Sequence, residues 1–263
     1  MTTVEAPVRT APLDYLLHLA DNALVLGQRN AEWCGNGPVL EEDIALANMS
    51  LDLIGQARML YQHAAVVSGD SATEDSLAYF RDATDFRNYT LLELPHASST
   101  SERDYATTIV RNFLYSALML LLWEVLRKSQ DTQLAAIAGK SFKEVRYHFR
   151  HSRDWLVRLG DGTAESHART QAALAHLMPY TQEYWAPSAI ETVADTEGRP
   201  IDVAALKSDW DDLVNDALQE AGLQRPAPGT GLPQGKNGQH SEHLAPLLAE
   251  MQSLARAHPG ALW

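Results

Sequence analysis

The sequence predicts an all-α protein, built as a bundle of four long helices with additional shorter helices towards the C-terminus. Two observations carry this prediction. Apolar residues recur every three to four positions through most of the 263 residues, as on the buried face of a helix, and no segment alternates as a strand would. The composition, 45% hydrophobic and 21% charged, is typical of a globular chain rather than a disordered one.

The first two long helices are predicted over residues 12–30 and 44–66. Pro12 suits a helix start, where its missing N–H costs little. The segment GNGPVLEED at 35–43 interrupts the periodicity, and Asp43 is expected to cap the second helix. Because the second helix is apolar over a wide arc, we expect it to lie centrally in the bundle.

The other two long helices are predicted further along the chain. Ser101 begins an S-x-x-D start signal for a helix that reaches about Arg127, and the fourth long helix covers roughly 131–158. Gly160 follows it, as glycine often does at a helix C-terminus. A weak, polar helical piece is also expected over 73–87.

Shorter elements complete the prediction. A helix is expected over about 163–184, with a kink at Pro179. Asp202 is expected to cap an acidic amphipathic helix over 203–220, and a last helix follows from about His240.

The domain organisation is predicted to be simple. Residues 1–11 are read as an N-terminal extension, disordered in solution, and residues 12–263 as a single helical domain. Within that domain the Gly/Pro-rich segment 222–239 is expected to form a mobile loop.

Charge and composition exclude several classes of function. The chain carries 21 Lys and Arg against 34 Asp and Glu, a formal net charge of −13, which disfavours binding to nucleic acid or an anionic membrane. The longest apolar run, 113–123, is too short to span a bilayer, and no apolar leader opens the sequence. The single cysteine, Cys34, gives no disulfide framework. A cytoplasmic location is therefore expected.

Four long helices with polar interior positions are typical of ferritin-like di-iron proteins, which need a Glu from each of two helices and Glu-x-x-His from each of the other two. The sequence does not supply the pair of motifs. Its one E-x-x-H, Glu93–His96, contains a proline. Asp52 on the second helix and Glu144 on the fourth stand where such motifs would begin, but no histidine follows at the required position. We therefore predict no catalytic residue and no metal site in this chain.

A polar seam nevertheless follows those two helices, and it could be a solvated edge, a buried network or the remnant of a metal site. The vestigial-site candidates are Asp52, Gln56, Glu144, Tyr147 and His148. Glu144, His148 and His151 share one helix face and could bind a metal, although a hydrogen-bonded seam is the more usual role of such a stripe. The pair His240 and His243 is read as surface or capping histidines.

Four stretches of the sequence together resemble one family. They are LADNALVLGQR (19–29), AEWCGNGPVLEEDIALANMSLDLIGQARMLY (31–61), KEVRYHFRHSRDWLVRLGDGT (143–163) and EHLAPLLAEMQSLARAHPGALW (242–263). The chain resembles, from about residue 12 to its end, the C subunits of the bacterial phenylacetyl-CoA epoxidase. The 31–61 segment is the most specific of the four.

The resemblance implies a ferritin-like fold and a place in a multicomponent monooxygenase of aerobic phenylacetate degradation. In that family the di-iron centre and the site for the CoA thioester belong to a related A subunit. The complex also has a bridging B subunit. A reductase E subunit passes electrons through flavin and an iron–sulfur cluster. The C subunit is the non-catalytic, structural sister of A and holds no cofactor. Two alternatives stay open, direct help in binding the CoA thioester and a weak metal site of its own, as does a homodimer when the subunit is alone.

A basic stripe on the fourth helix is the last candidate site. Lys143, Arg146, Arg150 and Arg153 recur at spacings of 3, 4 and 3 and therefore share one face. One interpretation is a solvated face paired with local acids, such as those of the 203–220 helix. The other is a contact with a partner chain or with the phosphates of CoA bound by the A subunit.

Overall fold

A computed structural model of the chain describes residues 10–69, 71–98, 103–192, 202–227, 229 and 231–261. Its α-helices are α1 Leu13–Ala31, α2 Leu40–Ser68, α3 Glu74–Tyr79, α4 Thr90–Glu93, α5 Tyr105–Leu126, α6 Thr132–Gly160, α7 Ala164–Leu177, α8 Gln182–Trp185, α9 Ala189–Thr192, α10 Lys207–Glu220 and α11 Leu244–Ala257. Short 3₁₀ turns lie at Ala83–Asp85, Met178–Thr181, Val203–Leu206 and Gly235–Asn237. No strand forms within the described ranges, where the one β-type contact is an isolated bridge between Gln234 and Gln239.

The bundle consists of two long helical hairpins. The helices α1 and α2 pack along each other, as do α5 and α6, and the hairpins meet where α2 contacts α6. All four helices contribute leucine or isoleucine side chains with no solvent exposure to one core, among them Leu16, Leu60, Ile109, Leu118 and Leu156. The prediction of an all-α, ferritin-like bundle with four long helices is confirmed.

The most apolar helix, α5, is a core element. By length and hydropathy it could cross a membrane, but 78% of its apolar window is buried inside the protein. A helix that is apolar all round needs burial on every side, and the neighbouring helices α6, α7 and α10 provide it.

Two predicted helix starts are corrected. The helix α2 begins at Leu40, so Asp43 lies in its first turn and does not cap it. The Asp43 carboxylate instead accepts the Gly35 N–H at 2.9 Å and holds the preceding loop closed. Ser101 lies outside the described residues, and the cap of α5 is Asp104, whose carboxylate accepts the Ala106 N–H.

The predicted helix over 163–184 is interrupted rather than kinked. The helix α7 ends at Leu177, and Pro179 lies in a 3₁₀ turn that leads into α8. Because proline lacks an N–H and clashes with the preceding turn, a helix interior cannot continue through it without cost. Asp202 acts as predicted, since its carboxylate accepts the Ala205 N–H at the turn that opens into α10.

The two segments predicted to be disordered or mobile each contain a packed part. Residues 1–9 lie outside the described residues, but Ala11 is buried and its N–H donates to Asp131 at 2.8 Å. In the 222–239 segment Lys236 is 1% exposed. Its backbone N–H donates to the buried Glu183, which also accepts the Thr90 N–H, both at 2.8 Å. The predicted mobility of the rest of the segment stays a prediction.

We expect Gly235→Ala to lower the free energy of unfolding by about 1–3 kcal/mol, the usual cost of overpacking. A Cβ atom there would overlap the Asn88 carbonyl oxygen and lie 2.9 Å from the Thr90 nitrogen. Gly231→Ala is the matched control, because the space around that Cβ is open. Urea unfolding of both variants checks this, and equal midpoints would contradict the packing of this segment.

Candidate functional site

The candidate site is the contact between α2 and α6, where three polar pairs bridge the two helices. Residue numbers fall along α2 as they rise along α6, so the helices are antiparallel. We call these residues the α2–α6 seam. Its pairs are Gln56 with Glu144, Asp52 with His148, and Glu42 with His151.

In the first pair, the Glu144 carboxylate has a partner on each of its two oxygens. The buried Gln56 donates through Nε2 to Glu144 Oε2 at 2.9 Å. Lys140, one turn earlier on α6, lies 3.7 Å from Glu144 Oε1. Both carboxylate oxygens therefore already have a partner from this chain.

The second pair joins a buried imidazole to a half-exposed acid. His148 is 2% exposed, and its Nε2 lies 3.1 Å from Asp52 Oδ2. Tyr147, the next residue, is 40% exposed and packs its ring against the His148 and His151 rings from outside. Tyr147 therefore covers the seam and does not enter the bundle.

The third pair includes a residue that the sequence did not single out. His151 Nε2 lies 2.8 Å from Glu42 Oε2, and the Tyr105 hydroxyl donates to the same oxygen at 2.6 Å. Burial is the largest cause that raises the pKa of Tyr105, and the hydrogen bond to Glu42 is the next largest. The raised pKa keeps the phenol protonated, so that it donates. Glu42 lies in the first turn of α2, and no spacing signal links it to His151.

The seam does not converge on one point. Within the described ranges no group of three or more His, Cys, Asp or Glu side chains is placed to hold a metal ion. Each acid of the seam instead faces a different donor, so the arrangement can fix α2 against α6. Of the three interpretations of the seam, a partly buried hydrogen-bonded network describes its geometry, and its origin as a former metal site stays a prediction.

The E-x-x-H pair is also divided between two environments. The fully buried Glu93 accepts from Asn88 at 3.0 Å and pairs with His240 at 2.9 Å. His96 donates through Nε2 to the Arg29 carbonyl at 2.6 Å. Burial, with a further contribution from Arg111, lowers the pKa of His96 to about 2. The imidazole is therefore neutral and structural, and the two residues are not a ligand pair.

His240 is neither a surface nor a capping histidine, so that interpretation is wrong for His240, whereas His243 lies at the N-cap position of α11 with its side chain 37% exposed. Its ring nitrogens lie 2.9 Å from Glu93 Oε2 and 2.9 Å from the Phe86 carbonyl oxygen. Burial lowers the pKa of His240, but the hydrogen bond and charge of Glu93, together with the Phe86 carbonyl and the charge of Glu183, outweigh it, and the pKa is raised overall. Two acceptors fit an imidazolium, which donates from both nitrogens.

The basic stripe is divided by the structure. Arg153 is half-buried and paired with α10, through Asp216 at 2.6 Å and Glu220 at 2.7 Å. The hydrogen bond to Asp216 contributes most to raising its pKa. Lys143, Arg146 and Arg150 are exposed. Pairing with local acids therefore describes Arg153, and the other three remain available to a ligand or partner.

A buried ion pair on α1 was also missed by sequence reasoning. Asp21, in the middle of α1, has no solvent exposure and pairs with the Arg81 guanidinium. It also accepts from the Tyr61 hydroxyl at 2.6 Å and from the Arg87 N–H at 2.8 Å. An acid flanked by Leu19, Ala20 and Ala23 in a buried helix was the available signal, because such a charge requires partners.

We expect Asp52→Leu to cost about 1–3 kcal/mol of unfolding free energy, since it leaves the buried His148 Nε2 without an acceptor. The double variant Asp52→Leu/His148→Leu should cost less than the sum of the two single variants. A double-mutant cycle from urea unfolding measures this coupling. Asn48→Leu, at an exposed position of the same helix, is the control, and strictly additive effects would contradict the pairing.

Two comparisons with known proteins bear on the chain as a whole. The sequence model of the family described as "Phenylacetic acid catabolic protein" matches residues 2–263. The chain is 43% identical over 249 residues to the C subunit of the 1,2-phenylacetyl-CoA epoxidase of Escherichia coli (strain K12), covering 95% of this chain and 98% of that protein. Both agree with the resemblance carried by the four stretches of sequence. The chain therefore belongs to the phenylacetic acid catabolic protein family.

Proposed function

We propose that the chain is the non-catalytic structural subunit of a multicomponent phenylacetyl-CoA 1,2-epoxidase. In this role it supports a related A subunit that carries the di-iron centre. The flavin and iron–sulfur cofactors belong to the reductase E subunit, and the complex also includes a B subunit. The 43% identity to an epoxidase C subunit over almost the whole chain supports the identity of the complex.

The α2–α6 seam carries the non-catalytic part of the proposal. Glu144 and Asp52 stand where Glu-x-x-His motifs would begin, and each is held by a donor from the facing helix. Recruiting either acid to iron would break a hydrogen bond and leave Gln56 or His148 buried without its partner, at a cost of about 1–3 kcal/mol each. The seam is thus suited to keeping the bundle rigid.

An exposed apolar face on α2 is consistent with a structural subunit that binds the A subunit. Leu40, Ile44 and Leu51 are 71%, 52% and 67% exposed, and their spacings of four and seven residues place them on one face. Obligate interfaces are more apolar than ordinary protein surface. We assign this face to the A subunit, which would cover it in the complex.

Co-expression with the A subunit tests the proposal. Tagged A subunit should recover this chain, and Ile44→Asp/Leu51→Asp should abolish the recovery. Leu254→Asp, a change at the exposed Leu254 of α11, is the matched control and should leave recovery unchanged. Recovery of the double variant at wild-type level would overturn the assigned face, and failure of the wild-type pair to associate would overturn the proposed function.

The isolated chain should take up no stoichiometric iron. After incubation with ferrous iron without oxygen, followed by air and desalting, its iron content should equal that of a buffer blank. The physical reason is that the seam acids already have donors. The co-expressed A subunit, treated alongside, is the positive control. A di-iron complement in the isolated chain, measured by elemental analysis, would contradict the non-catalytic role.

A further inference from the structure

The acidic helix α10 lies across the α5–α6 hairpin and shows what that surface can bind. At its start the buried Trp210 donates through Nε1 to the Leu114 carbonyl of α5 at 3.1 Å. At its end Asp216 and Glu220 pair with Arg153 of α6. The acidic amphipathic helix α10 is therefore held in place by one aromatic side chain that donates to α5 and by two carboxylates that pair with an arginine of α6.

Beside α10 the same two helices form an open groove of about 690 Å³. We call it the α5–α6 groove. Its α5 wall consists of Leu120, Leu121 and Glu124. Its α6 wall consists of Phe142, Lys143, Arg146, Tyr147, Phe149 and Arg150.

The groove repeats the α10 contact two helical turns away. Leu121 follows Leu114 by seven residues on α5, and Arg146 precedes Arg153 by seven residues on α6. Because the two helices are antiparallel, both shifts point in the same direction, and seven residues rise about 10 Å. Packed helices lie about 8–10 Å apart. A second helix with the same chemistry would therefore lie beside α10 at normal packing distance.

The charge of the groove suits such a helix. Lys143, Arg146 and Arg150 form no ion pair with the described residues, and Glu124 is the one acid among the described residues that line the groove. Arg146 and Arg150 lie over the rings of Phe142 at 6.0 Å and Tyr147 at 5.9 Å. Three positive charges over an apolar floor, in a chain of net charge −13, form a local site for carboxylates.

We propose that the α5–α6 groove docks an acidic amphipathic helix of a partner protein, packed beside α10. An aromatic or leucine side chain of that helix lies over Leu121, and its carboxylates pair with Lys143, Arg146 and Arg150. Arginine suits this role because its planar guanidinium can hold a carboxylate through two hydrogen bonds. The inference stands apart from the assignment of the α2 face, since it concerns a different surface and a different partner chemistry.

A labelled peptide tests the proposal. The probe is a fluorescein-labelled, helix-stabilised peptide with the α10 sequence 207–220, KSDWDDLVNDALQE, and its binding to the full chain is followed by fluorescence anisotropy. The groove variant is Lys143→Glu/Arg146→Glu/Arg150→Glu. The control variant, Arg58→Glu/Lys128→Glu/Arg158→Glu, makes the same charge change at exposed cations outside the groove. Circular dichroism shows that both are folded, and Arg146→Gln/Arg150→Gln replaces the groove variant if charge reversal unfolds α6.

Saturable binding to wild type and control, at least tenfold weaker with the groove variant, supports the proposal. A scrambled peptide of equal charge should also bind at least tenfold more weakly, and 0.5 M salt should weaken the binding because exposed charges are screened. Equal binding by the groove variant, equal binding by the scrambled peptide, or no saturable binding would overturn it. Coenzyme A binding at the groove without peptide binding, or a homodimer that the groove variant dissociates, would also overturn it.

Discussion

Replacing Asp21 by asparagine should lower the free energy of unfolding by about 3–5 kcal/mol, the usual cost of breaking a buried ion pair from one side. Asp21 has no solvent exposure and compensates the Arg81 guanidinium, which is itself 13% exposed. Asparagine removes the negative charge and turns a donor towards groups that already donate, the Tyr61 hydroxyl and the Arg87 N–H.

Urea unfolding of the Asp21→Asn variant measures the loss. The control is Asp14→Asn, on the same helix but exposed, where the change should stay within about 0.5 kcal/mol. Equal losses at the two positions would show that the Asp21 cluster contributes no more than a surface acid. Arg81→Met should destabilise in the same way, because it leaves Asp21 as the unpaired charge.

The second large effect is expected for Lys236→Met, again about 3–5 kcal/mol. The Lys236 ammonium is 1% exposed and donates to Glu191 Oε2 at 2.8 Å and to the Ala186 carbonyl at 2.6 Å. Methionine fills much of the same space but leaves the Glu191 carboxylate buried and unpaired. The segment that carries Lys236 would then lose its side-chain contact with α9 while keeping the backbone hydrogen bond to Glu183 of α8.

The stability lost in Lys236→Met should depend on pH. The direction of that dependence identifies the unpaired Glu191 carboxylate as its cause. Burial raises the pKa of Glu191, and Lys236 opposes that rise. A carboxyl whose pKa is raised on folding destabilises the protein above its folded pKa and has no such effect below its unfolded pKa. The Lys236→Met deficit should therefore shrink as the pH falls through the pKa of Glu191.

Thermal unfolding at several pH values tests both points. The double variant Lys236→Met/Glu191→Leu should recover part of the lost stability, because it removes the unpaired charge. Lys207→Met, at a half-exposed lysine on α10, is the control. A deficit that is independent of pH and is not relieved by the second substitution would assign the effect to lost packing.

The four long helices could be predicted from the sequence because each carries its own periodic apolar face, which is local information. The contacts of the candidate site could not be predicted in the same way. Helical spacing showed that Asp52 and Gln56 share one face and that Glu144 and His148 share another. It did not show that these faces meet, and it gave no reason to include Glu42. Pairing across helices depends on how the hairpins pack, which no single segment determines.

Composition was a weaker guide to the C-terminal part. A segment rich in glycine and proline is typical of a mobile loop, yet Glu183 accepts a hydrogen bond from the backbone N–H of Lys236 inside the segment, and Glu93 accepts one from Ser241 just after it. These acids lie about fifty and one hundred and fifty residues earlier in the chain. Gly235 suits this contact because only a residue without a side chain fits against Thr90.

The contacts of Asp131 have a consequence for the order of folding. This residue caps α6 and also accepts from the Ala11 N–H and pairs with His63, groups that lie 120 and 68 residues earlier. Contacts of such long sequence separation must overcome the entropy of closing large loops, so they form after local ones. Each hairpin can assemble from neighbouring segments, whereas the junction at Asp131 requires both. We therefore expect a ribosome-bound chain that ends before Asp131 to hold α1 and α2 together while leaving the Ala11 N–H and His63 without this acceptor.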